Sequence, residues 1–227
     1  MKTLLLLHGA IGSEAQLTDL KDALSKYYSV HTLNFSGHGG KDLTSDFSIE
    51  GFAQEVLDWM KKKKLSSISI FGYSMGGYVA LYLARHYPNA IDCVVTLATK
   101  LYWDEHVATK EAGNLQPGII KVKVPAFAEA LKQRHLPIDW EVLLEKTAAL
   151  LNLMGSVNPL NIKDFSQVNC PVLLTLGDRD KMVSLVETVT VFKQIQNGQL
   201  AVLPFTHHAI ETIDVNMVSL LIRNFIK

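Results

Sequence analysis

Ile68-Ser69-Ile70-Phe71-Gly72-Tyr73-Ser74-Met75-Gly76-Gly77-Tyr78-Val79 is the stretch on which the fold turns. Four residues rich in β-branched and aromatic side chains run into Gly-x-Ser-x-Gly, and a helical apolar pattern from Tyr78 to Tyr87 follows until Pro88 stops it. A strand, a tight turn and a helix in immediate succession hold a serine hydroxyl up at the end of a sheet. Such a turn presses its backbone against the adjoining chain, so the positions two before and two after the serine must be small. Gly72 and Gly76 meet that need. The helix that follows aims its first N–H groups at the serine, where they favour negative charge.

Outward from this turn, short apolar runs alternate with amphipathic segments. Leu4–Leu7, Val30–Phe35, Ile68–Phe71, Cys93–Ala98, Val172–Leu176 and Leu200–Leu203 read as strands. The all-apolar runs among them suit parallel strands covered on both faces. Ser13-Glu14-Ala15-Gln16 reads as a capping box ahead of Leu17, Leu20 and Leu24 at helical spacing. Ile49, Phe52, Ala53, Val56, Leu57 and Met60 mark one helical face, and Val183–Ile195 and Val215–Ile226 supply the last two helices. The four lysines from Lys61 to Lys64 read as a solvated helix C-terminus, where cations suit the helix dipole. The rhythm predicts an α/β fold, a parallel sheet of about six strands wrapped by helices. It breaks once. Between Lys100 and Cys170 no strand pattern occurs, and helical patterns around Ala126–Arg134 and Trp140–Met154 are separated by prolines. Residues 1–227 therefore read as a single domain, with a helical cap insertion at about 101–165 over the edge where the strands end.

The bulk composition narrows the function classes. Of 227 residues, 48% are hydrophobic and 19% charged, and the formal net charge is zero, so no overall basic field recruits nucleic acid. The expected partner is a small molecule. Cys93 and Cys170 offer neither a disulfide framework nor metal-ligand spacing, and each sits in an apolar, strand-like setting. No metal or cofactor is expected. The apolar run after Met1-Lys2-Thr3 is too short for a signal peptide or a membrane span, which predicts a cytoplasmic protein.

A serine hydroxyl is a weak nucleophile unless a base takes its proton, and the base needs a group to orient it. In this strand–turn–helix setting the chain order is serine, acid, histidine. After the next-to-last strand stand Asp178 and Asp180, and after the last strand stand His207 and His208. The remaining histidines, His8, His31, His38, His86, His106 and His135, occupy no such position. The oxyanion formed in acyl transfer calls for backbone N–H donors, one of them on the residue after the nucleophile, Met75.

These motifs together resemble the α/β-hydrolase superfamily over nearly the whole chain. The resemblance implies the following roles. Gly177-x-x-Asp180-x-x-Val183 matches the family's acid segment, which assigns Asp180 over Asp178. His208-Ala209-Ile210-Glu211 resembles the family's histidine segment, which assigns His208 over His207. His8-Gly9-Ala10-Ile11-Gly12 resembles the family's His-Gly-x-x-Gly loop, which places the second oxyanion donor at Ala10 N–H. Asn34 stands where many relatives carry an aspartate ahead of a Gly-His-Gly turn, and this segment is read as structural. Many relatives carry further strands before the His-Gly strand. The shorter sheet expected here exposes an edge and would favour a homodimer or a covering helix. The implied activity is hydrolysis of a carboxylic ester or thioester through Ser74, His208 and Asp180, with an acyl-enzyme intermediate. A lyase or C–C bond hydrolase would use the same triad, and a non-catalytic binding module would keep only the fold. Within the insertion, Trp103, Phe127 and Trp140 are candidates for an apolar substrate pocket.

Overall fold

A computed structural model describes all residues, 1–227. The six strands are β1 (Thr3–Leu7), β2 (Ser29–Leu33), β3 (Ile68–Tyr73), β4 (Ile91–Leu97), β5 (Val172–Gly177) and β6 (Gly198–Leu203). They form one sheet in the order β2-β1-β3-β4-β5-β6, and every pairing is parallel. All six expected strands are present, each within two residues of its expected bounds. Parallel pairing needs crossover connections, and α1 (Thr18–Leu24), α2 (Ile49–Lys63), α3 (Met75–His86) and α8 (Leu185–Phe192) supply them, with α9 (Val215–Phe225) closing the chain.

The leucines of β1 show why the central strands need no polar residues. All four are fully buried, and alternation sends them to opposite faces. Leu5 and Leu7 pack with Val56 of α2 and Val79 of α3, whereas Leu4 and Leu6 pack with Leu20 and Leu24 of α1 and Ile222 of α9. Ser48 caps α2 by accepting from Gly51 N–H at 2.9 Å, and Lys61, Lys62 and Lys63 lie exposed in its last turn, as the dipole favours. Ahead of α1, Gln16 Oε1 accepts from Ser13 N–H at 2.9 Å over a short 3₁₀ turn.

Between β4 and β5 the chain forms four helices: α4 (Glu105–Gly113), α5 (Pro117–Lys123), α6 (Pro125–His135) and α7 (Trp140–Ser156). The last two match the expected helical segments, and the first two add to them. Asp104 starts α4 by accepting from Val107 N–H at 2.7 Å, and Pro117 starts α5. Their apolar pattern is weak because α4 packs through the small Ala108 and Ala112, while Val122 of α5 points into solvent. Leu150 and Met154 of α7 join the core of the sheet, so the insertion and the sheet share apolar packing. No helix is long and apolar enough to cross a membrane.

Candidate active site

Ser74 stands between the end of β3 and the first residue of α3 with φ 50° and ψ −117°. A non-glycine residue held there stores roughly 1–3 kcal/mol of backbone strain, and surrounding contacts must impose it. They are visible. Ser74 N–H donates to Leu97 O at 2.8 Å, and Ser74 O accepts from Gly77 N–H at 3.0 Å. A Cβ on Gly72 would lie 2.4 Å from Gly76 O, and one on Gly76 would lie 2.6 Å from both Leu7 O and His8 O. The two glycines therefore let β3, the turn and β1 close on one another, and the serine is left half-buried facing a cavity.

The candidate acid and base come from the loops after β5 and β6. His208 Nδ1 donates to Asp180 Oδ2 at 2.8 Å. Asp180 Oδ1 accepts from Met182 N–H and Val183 N–H, each at 2.8 Å. Burial alone would raise the Asp180 pKa, but the His208 hydrogen bond and the two backbone donors outweigh it and hold the carboxyl below its ordinary range. Asp178 is exposed and accepts only from Thr206 N–H, at 3.3 Å, with Arg179 at 3.8 Å. His207 is exposed as well. Of the adjacent candidates, Asp180 and His208 are thus the two that meet. Tyr73, beside the serine, donates its hydroxyl to His208 O at 3.0 Å and so ties the histidine loop to the turn.

Ser74 and His208 line one cavity of about 350 Å³, together with Ala10 and Met75. The Ser74 hydroxyl is not hydrogen-bonded to His208 in this conformation; catalytic hydrogen bonds are often long before substrate binds. Met75 opens α3, where an N–H lacks an intrahelical acceptor. Ala10 N–H belongs to the same peptide as Gly9 O, which is held on the far side by His8 Nδ1 at 2.8 Å and Gly12 N–H at 3.1 Å.

Of the 23 lining residues 15 are hydrophobic, and they include Trp103 and Phe127. Trp140 is a correction. It lies buried within the cap against Ile120, Leu131 and Leu144, with Lys121 over its ring, and it does not line this cavity. Its place at the start of α7 turns it toward α5 and α6, a packing choice that helical periodicity does not reveal. Polar lining residues that the sequence reading did not assign are Gln16, Lys100, Glu111, Asn114, Arg134 and Glu211. Lys100 lies 3.8 Å from both Glu111 and Glu187, and Arg134 lies 3.3 Å from Glu211. These partners are 11 to 87 residues apart in sequence, so no local motif signals them.

A six-stranded parallel sheet with a serine at the β3–α3 turn and an acid–histidine pair after β5 and β6 defines the α/β-hydrolase class. The chain matches the alpha/beta hydrolase fold family over residues 2–169, and it belongs to that family. It is 27% identical over 202 residues to a thermostable monoacylglycerol lipase of Bacillus sp., covering 86% of this chain and 77% of that protein. A match to a protein of Wickerhamomyces anomalus named "Probable alcohol acetyltransferase" is 32% identical over 96 residues, covering 41% of this chain and only 28% of the relative's length. Among solved structures, a thermophilic esterase from Thermogutta terrifontis superposes with a TM-score of 0.79 at 20% identity, over 100% of this chain and 89% of that one.

Proposed function

We propose that this protein is a serine hydrolase that cleaves a carboxylic ester or thioester of an apolar acyl group. The observation that carries the reading is the His208–Asp180 hydrogen bond of 2.8 Å beside the cavity that holds the strained Ser74. With Nδ1–H committed to Asp180, the neutral His208 keeps Nε2 as a free base. It takes the Ser74 proton as Oγ attacks the acyl carbon, and Asp180 stabilises the imidazolium that forms. The Ala10 and Met75 N–H groups hold the oxyanion. His208 then returns the proton to the departing alcohol or thiol, and an acyl-Ser74 ester remains. Water, activated by the same histidine, attacks that ester, and collapse of the second oxyanion frees the acid and Ser74.

The largely hydrophobic lining supports a neutral acyl group. Arg134 and Lys100, the cations at the cavity, both face carboxylates of the protein, which leaves neither free for a polyanionic substrate of the kind a lyase reading would need. A fluorophosphonate probe tests the proposal. Peptide mass mapping should place the adduct on Ser74, and Ser74→Ala should abolish both labelling and p-nitrophenyl ester hydrolysis. His208→Ala should lose activity while His207→Ala keeps it. An adduct elsewhere, or a fully active His208→Ala, would overturn the assignment.

A further inference from the structure

We infer that Arg134 and His135, the last two residues of α6 in the cap, are positioning residues that hold the oxyanion loop from outside. The inference rests on the serine-hydrolase reading above and adds a residue pair to it. The carbonyl of Ile11, the residue after Ala10, accepts two hydrogen bonds, from Arg134 Nη1 at 3.1 Å and from His135 Nε2 at 3.0 Å. Ile11 sits at φ 51°, the left-handed region that a β-branched residue avoids, so its peptide needs external support to stay there. The Gly9–Gly12 turn closes on itself through Gly12 N–H to Gly9 O, and Ile11 O is its outward acceptor. Orienting that carbonyl fixes the turn that carries Ala10 N–H.

Both residues reach further than this one contact. His135 Nδ1 accepts from Gly39 N–H at 3.0 Å, so a single neutral ring joins the loop after β1 to the glycine turn after β2. His135 is fully buried, and burial, opposed by the Ile11 bond and assisted by Arg134, lowers its pKa to about 4. The ring therefore stays neutral near pH 7, and Nδ1 stays an acceptor. Arg134 Nη2 donates to Glu211 Oε1, three residues after His208, and Gln16 Nε2 donates to the same oxygen at 2.5 Å. The arginine thus spans from the oxyanion loop to the loop that carries the base. A residue that only glued α6 to the sheet would do so as well with an aliphatic side chain. Here one ring nitrogen and a guanidinium nitrogen meet a backbone oxygen of the oxyanion loop, and the other ring nitrogen anchors the ring to the glycine turn after β2.

The test uses a short-chain fluorophosphonate, whose phosphoryl oxygen enters the oxyanion site, and p-nitrophenyl butyrate. Losing one oxyanion donor outright costs about 10²–10³ in kcat, and a donor left in place but loosened should cost about 10-fold. Arg134→Met and His135→Leu should each slow Ser74 labelling and kcat by about that factor, with KM within about twofold. His135→Gln, whose amide can donate to Ile11 O, should recover most of the loss. Because His135 is buried, His135→Leu could fail to fold; Arg134→Met and His135→Gln, checked by circular dichroism, then carry the test. Folded Arg134→Met with wild-type labelling, or a rise in KM alone, would overturn the inference. A His135→Gln protein that folds and is as slow as His135→Leu would do the same. If wild-type Ser74 takes no label, the serine-hydrolase reading itself fails, an outcome distinct from all of these.

Discussion

Acidification should destabilise this protein through the histidines beneath the loop after β1, and His8 allows the effect to be worked through. Its ring is fully buried, with Nδ1 donating to Gly9 O at 2.8 Å and Nε2 accepting from Phe35 N–H at 3.2 Å. Both nitrogens are satisfied only in the neutral form. Burial is the main cause that lowers its pKa to about 4; the Gly9 hydrogen bond opposes this, and His135, Arg134 and Lys41 add to it. Because the folded pKa lies below the unfolded value of 6.5, the unfolded chain takes up the proton first as pH falls. The stability contributed by neutral His8 is whole above about pH 6.5 and is lost progressively toward pH 4. At pH 5 the two titration curves give a loss of about 2 kcal/mol, and below pH 4 the limit is about 3.4 kcal/mol. Domains of this kind have about 5–15 kcal/mol in all. His38, 4.9 Å away, and His135 are also held below their ordinary pKa, so the wild-type loss should exceed the share of one ring. Guanidinium chloride unfolding of wild type and His8→Asn at several pH values measures it. Asparagine can still donate to Gly9 O but does not titrate. Between pH 5 and 6, its stability should fall less steeply, by about 1.2 kcal/mol per pH unit. Equal slopes for the two proteins, or a His8 midpoint above pH 6 by NMR of the folded state, would refute the reasoning.

Two further substitutions probe the elbow and the acid. Gly76→Ala places a Cβ 2.6 Å from the backbone oxygens of Leu7 and His8, which cannot rotate away. It should cost about 1–3 kcal/mol, read as a lower unfolding midpoint, and an unchanged midpoint would show that β1 and the elbow are not so closely apposed. Asp180→Asn removes the charge that faces His208 Nδ1 and favours the wrong tautomer. Ester hydrolysis should drop by about 10³–10⁴ in kcat with folding retained, and a drop of less than tenfold would remove Asp180 from the catalytic role.

What could be read from the sequence was local or ordered along the chain. Leu4–Leu7 announces a covered strand by itself, and Gly72–Gly77 carries its steric demands within six residues. The cap was legible only in part, since Trp140 and Arg134 are placed by helix-on-helix packing that no single helix encodes. Asn34 is a finer case. It departs from the common family pattern, and the structure supplies a reason: its amide donates to Glu14 Oε1 at 3.1 Å while its carbonyl accepts from Glu14 N–H at 2.7 Å. An aspartate there would set two carboxylates against each other. The cause lies 20 residues away, beyond the reach of a motif.

The choice between adjacent candidates follows from how β5 and β6 end. Parallel register pairs Gly177 with Leu203, so the loops that follow leave the sheet side by side. They are stitched together at once, by Asp178 N–H to Leu203 O at 2.9 Å and Arg179 N–H to Thr206 O at 3.0 Å. The approach is so close that a Cβ on Gly177 would lie 2.1 Å from Thr206 O. Stitching occupies residues 178 and 179 with backbone contacts at the rim, and it delivers residue 180 to the far side with its side chain fully buried. There the Met182 and Val183 N–H groups hold one carboxylate oxygen, and the other points at His208. Moving the acid two residues earlier would leave it in solvent beside Arg179. A carboxylate with one oxygen pinned by backbone is charged and oriented at once, and these are the two properties the partner of a catalytic histidine requires.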